Sequence, residues 1–146
     1  MRYHVIVGHR LYPYAEHVKE LVRRLPRDTI VVSGGALGPE AWAEREAIKL
    51  GLPTSVVFKP VLPSGRLISS FSGSWLQACF TRNQKLLEFA VQHRELLLPI
   101  DGGVVSVFCL PDTPGHMADT RDVIKRAAAL RLSLTRHYPN GRTVQD

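Results

Sequence analysis

The chain has 146 residues, of which 45% are hydrophobic and 22% charged, a typical size for one compact domain with a proper core. No apolar run approaches the roughly 20 residues a membrane helix needs, and Met1 to Gly8 runs straight into a strand pattern in place of a signal sequence, so a cytoplasmic protein without a membrane partner is expected. The net charge of +6 favours anions, whether nucleotides, nucleic acid or only solvent ions, while Cys79, Cys109 and six scattered histidines lack metal-ligand spacing; no metal and no cofactor are called for.

Tyr3 to Val7 is a short apolar run fit for a buried strand, and Val18, Leu21, Val22 and Leu25 follow with the spacing of an amphipathic helix that Pro26 ends. Thr29 to Val32 predicts a second strand. It leads into Ser33-Gly34-Gly35-Ala36-Leu37-Gly38 and a helix opened by Pro39 and Glu40, with Glu44 in its early turns and Gly51 placed to cap its end. Leu52 to Phe58 predicts a third strand. From Lys59 to Ala78 regular periodicity is lost, which predicts a long loop or lid carrying Arg66, Phe71 and Trp75, either to cover a ligand or to pin the loop to the core.

Thr81-Arg82-Asn83-Gln84 has the form of a capping box, so a third helix is expected to start there with Arg82 and Asn83 beside its free N–H groups. Val104 to Leu110 predicts a central strand. Ile124, Ala127, Ala128 and Arg131 set the face of a fourth helix, and the alternation of Leu130, Leu132 and Leu134 predicts a last strand. Five strands alternating with crossovers predict an α/β, Rossmann-like three-layer sandwich: a mostly parallel five-stranded sheet with helices on both faces.

A strand that runs through glycines into a helix makes an anion site, because the glycines permit a close backbone approach and the helix start presents unpaired N–H groups. The same glycines suit a tight connection that holds no ligand. Glu40, Asp112 and Asp119 are the carboxylates available for catalysis; Glu40 and Asp119 also suit the helix starts they occupy, and Asp112 suits a turn or cap. Arg10 and Arg82 carry guanidinium groups suited to phosphate, or to a structural ion pair.

Taken together, Gly8-His9-Arg10, Ser33 to Glu40, Ala47-Ile48-Lys49-Leu50-Gly51-Leu52-Pro53 and Arg82-Asn83 resemble, in order and spacing, the Rossmann-like superfamily of DprA and the LOG enzymes, in particular its small YspA/YpsA-related branch. The resemblance covers nearly the whole chain. It implies a site for a nucleotide or nucleotide derivative built on Gly8, Arg10, Ser33, Gly34, Gly35, Ala36, Gly38, Arg82, Asn83 and Gly115. A homodimer is expected by the same analogy. LOG enzymes, which release a base from a nucleoside monophosphate, carry Pro-Gly-Gly-x-Gly-Thr-x-x-Glu where this chain has Leu110 to Thr120, without the double glycine, the Gly-Thr pair or the Glu. Three functions stay open: a nucleotide-binding sensor, carrier or weak processing enzyme; a DprA-like single-stranded nucleic-acid binder; and a phosphoribohydrolase with an altered motif.

Overall fold

The computed structural model describes residues 1–61, 75–111 and 118–146. Its described strands are β1 (Arg2–Gly8), β2 (Thr29–Ser33), β3 (Val56–Val57), β4 (Val105–Phe108), β5 (Leu134–His137) and β6 (Thr143–Gln145). The helices are α1 (Ala15–Arg23), α2 (Pro39–Lys49), α3 (Trp75–Gln92) and α4 (Ala118–Ala129). One sheet takes all six strands in the order β3-β2-β1-β4-β5-β6. The first five are parallel, with Val5 opposite Val32 on one side and Val105 on the other, and β6 returns antiparallel along β5.

Alternate residues of the same strands feed two cores. Val5, Val7, Val105 and Val107 pack with Leu86, Leu87 and Ala90 of α3 and Val123 and Ala127 of α4. Ile6, Val31 and Phe108 pack with Val18, Leu21 and Val22 of α1 and Ala43 and Ala47 of α2. This follows from the two-residue period of a strand, which turns successive side chains to opposite faces of the sheet. The arrangement is an α/β fold of Rossmann-like kind, and no helix among the described residues is long and apolar enough to cross a membrane.

Four expectations are corrected. The sheet has six strands, not five, because the hairpin after β5 adds Thr143–Gln145, a short and mostly exposed strand with no apolar pattern of its own. The third strand is only Val56–Val57: Leu52 is consumed by the end of α2, where its N–H bonds Ala47 O at 2.9 Å past Gly51 at φ +74°. The alternation at Leu130, Leu132 and Leu134 begins with the end of α4 instead of a strand. There the Arg131 N–H bonds Ala128 O at 3.1 Å and the Leu132 N–H bonds Ala127 O at 2.9 Å, with Arg131 itself at φ +56°, so buried Leu132 is the apolar residue that commonly follows such a cap.

The fourth correction bears on the site. Helix α3 is already formed at Trp75, so Thr81 lies inside it and spends its hydroxyl on Gln77 O, 3.1 Å away and one turn back. Arg82 and Asn83 are therefore mid-helix residues whose own N–H groups are not free for an anion. The expected loop is correspondingly shorter, since Trp75 to Ala78 belong to α3; Arg66 and Phe71 lie outside the described residues.

Candidate functional site

The chain leaves β1 toward β2 and β3 on one side and reaches β4 and β5 on the other, so the strand order reverses between β1 and β4. Parallel sheets open a crevice at the carboxyl ends of such a pair, where the two connections part. Here that crevice holds about 340 Å³ and is walled by Gly8, Arg10, Ala36, Trp75, Arg82 and Asp119, among others. Gly8 closes β1 without a side chain because a Cβ would lie 2.8 Å from Pro39 Cγ and 2.9 Å from Phe108 Cβ. The start of α2 thereby seats directly on the end of β1.

Behind the crevice lies a network of buried charge centred on the glycine turn. Gly34 donates its N–H to Glu40 Oε1 at 2.8 Å, and its carbonyl accepts from Arg82 Nη1 at 2.9 Å. Only glycine fits between them: a Cβ at Gly34 would come within 3.0 Å of both the guanidinium and the carboxylate. Arg82, 4% exposed, also donates from Nε to Asn83 Oδ1 and from Nη2 to Asp119 Oδ2, each at 2.9 Å. Asn83 Nδ2 bonds Asp119 Oδ1 at 2.7 Å and Asp122 Oδ2 at 3.0 Å, and Arg126 Nε holds Asp122 from the far side at 2.7 Å. The middle of α3 is thus tied both to the glycine turn and to the first turn of α4.

Burial pushes the Glu40 carboxyl up to about 7, opposed by the Arg82 cation and the Gly34 N–H and reinforced by the neighbouring Asp119. The remaining turn residues divide between scaffold and wall. Ser33 Oγ donates to Glu44 Oε1 at 3.0 Å and accepts a long contact from the Gly35 N–H at 3.4 Å. Gly35 and Gly38 hold φ of +67° and +85°, and a Cβ on Gly38 would meet the Arg10 backbone at 2.8 Å. Arg10 is exposed on the crevice wall and forms no ion pair among the described residues.

The candidate residues therefore fall into groups. Gly8, Arg10, Ala36, Arg82 and Asp119 meet at the crevice; Ser33, Gly34, Gly35, Gly38, Asn83 and Glu40 support it from behind or beside it; Asp112 and Gly115 lie outside the described residues. Glu40 faces only a 10 Å³ gap behind the wall, whereas Asp119 keeps 38% of its side chain exposed. The pairing of Arg82 with Gly34 and Asp119, and the roles of Asp122 and Thr120, are not marked by any local pattern. His9, Leu76 and Thr120 complete the wall, and among the described residues no cluster of His, Cys, Asp and Glu is arranged for a metal. No protein-family model matches the chain, and no curated protein matches it.

Proposed function

We propose that the chain binds a nucleotide or nucleotide derivative in the crevice between β1 and β4, as a small member of the DprA and LOG superfamily built as a three-layer sandwich. The observation that carries this reading is the convergence, at a strand-order reversal, of an arginine with no ion pair among the described residues, a buried guanidinium and a glycine turn around about 340 Å³. The roles differ from those of a phosphate loop. The Gly34 N–H serves Glu40, an internal carboxylate, so the phosphate falls to the exposed Arg10 and to whatever Arg82 has left. A guanidinium has five N–H donors. Arg82, which lines the crevice, uses one each for Gly34, Asn83 and Asp119 and so keeps N–H groups that these three do not take.

Asp119 supports a second reading, weak hydrolysis of a nucleoside monophosphate, because its carboxylate lines the crevice while Glu40 stands behind it. The test of binding is the melting temperature against nucleoside mono-, di- and triphosphates, nucleotide sugars and a short single-stranded oligonucleotide, at low and moderate salt. A ligand at a hundredfold excess over its Kd adds about 2.7 kcal/mol of stability. A salt-tolerant rise with one mononucleotide class, lost in Arg10→Ala, is the expected result. A rise with the oligonucleotide alone, fading with salt, replaces this reading with single-strand binding. Release of free base that disappears in Asp119→Asn, with binding kept, would add turnover.

A further inference from the structure

Right-handed crossovers send α1 and α2 to one face of the sheet and α3 and α4 to the other, in keeping with the two separate cores. After β5 the chain turns back into β6 and forms no helix there. Among the described residues nothing helical therefore covers β5 and β6 on the side of α1, and a groove of about 470 Å³ lies between that helix and the hairpin. Tyr12, His17, Arg24, His137, Tyr138 and Arg142 line it.

The groove has a floor with unspent hydrogen bonding. His137 is 8% exposed, its ring is stacked on Phe108 with centroids 4.6 Å apart, and its buried Nε2 has no hydrogen-bond partner among the described residues. Burial holds this imidazole near pKa 4, so it is neutral and offers one N–H and one lone pair, groups that folded proteins seldom leave unused. On the facing wall the Tyr12 hydroxyl and His17 Nδ1 share a hydrogen bond of 2.6 Å, and burial keeps the phenol protonated to about pH 12. Arg24 is fixed by both oxygens of Asp101, at 3.1 and 2.8 Å, whereas the exposed Arg142 at the rim has no ion pair among the described residues.

We infer that this groove is a second ligand site, taking a small aromatic molecule that carries an oxyanion. The ring edge meets His137 at the floor, between the tyrosines, and the oxyanion meets Arg142 at the rim. The site is distinct from the crevice, with which it shares no lining residue.

The test is a nitrogen-15 NMR titration of the full chain, reading backbone and imidazole signals, with phenyl phosphate, benzoate and inorganic phosphate as probes. Saturable shifts at the His137 ring, Tyr138 and Arg142 are expected with an aromatic probe, about tenfold weaker or more in Arg142→Ala, since an ionic hydrogen bond is removed. Preference for phenyl phosphate assigns a phosphate ligand and preference for benzoate a carboxylate. Arg10→Ala, which disables the crevice, leaves these shifts unchanged. Shifts that do not saturate, that keep full affinity in Arg142→Ala, that are matched by inorganic phosphate alone, or that are confined to Gly8, Arg10 and Thr120 overturn the inference.

Discussion

The crevice and the groove are concavities of similar size, yet they solve the burial of polar side chains in opposite ways. Behind the crevice, Arg82 pairs with Asp119 and Arg126 with Asp122, each guanidinium hydrogen-bonded to a carboxylate. Beside the groove and beneath it, His137 and His4 are kept neutral, both held near pKa 4 by burial. Coulomb attraction offsets desolvation in the first case, while in the second the side chain avoids the cost by giving up its proton. A charged network needs every member, because removing one partner strands the others. A neutral imidazole needs only hydrogen bonds, and His4 has both: Nδ1–H donates to Leu98 O and Nε2 accepts from Ser106 Oγ, each at 2.7 Å.

Removing the central cation is the sharpest way to break this contrast. Arg82→Met is expected to destabilise the fold by about 3–5 kcal/mol in urea unfolding, since Asp119 and the Gly34 carbonyl lose their partner. A loss under 1 kcal/mol would mean the network is not interdependent. Glu40 comes next, through pH. Its folded pKa, raised from 4.5 to about 7, gives stability that is complete below pH 4.5 and is lost as pH rises toward 7. The histidines work in the other direction: their pKa falls from 6.5 to about 4, so their contribution is present above 6.5 and is lost as pH falls toward 4. The two windows overlap, and because two histidines oppose one carboxyl, stability is expected to rise with pH to about 6.5 and to fall beyond it. Glu40→Gln should flatten the alkaline limb alone, gaining on the parent by about 2–3 kcal/mol between pH 5 and 8, and parallel curves would show that Glu40 ionises freely.

Gly34→Ala, which drives a methyl group between Arg82 and Glu40, should cost about 1–3 kcal/mol by the same unfolding assay. Ser106→Ala removes one of two hydrogen bonds from His4 and is expected to cost about 1 kcal/mol, independent of the crevice variants in a double-mutant cycle. Arg10→Ala should change stability by less than about 0.5 kcal/mol while abolishing the nucleotide-dependent rise in melting temperature. A stability loss as large as that of Arg82→Met would move Arg10 from ligand contact to scaffold.

Much of the first half of the fold is legible locally. The apolar run at Tyr3 to Val7, the helical spacing from Val18 to Leu25, and Pro39 and Gly51 as helix start and stop all describe chemistry complete within a few residues. What misleads is residues with two uses. Thr81 satisfies its hydroxyl on a carbonyl one turn back as readily as on a helix start, and Leu132 closes the end of α4 in the place where strand alternation would also put an apolar residue. In the site, the turn around Gly34 and the importance of Arg82 are readable. That Arg82 reaches Gly34 from 48 positions away is not, since the contact exists only once α3 lies against the end of β2.

Among the described residues the two edges of the sheet are its shortest strands: Val56–Val57 on one side and Thr143–Gln145 on the other. An open sheet is a template for its own kind, since each edge presents unpaired N–H and C=O groups that another chain can extend. Here the long, valine-rich strands lie inside, flanked by neighbours on both sides, and the rims offer two or three residues each. That is too little backbone to hold a foreign strand in register. The brevity of β3, a shortfall beside what the run from Leu52 to Phe58 suggests, thus becomes a safeguard against end-on polymerisation.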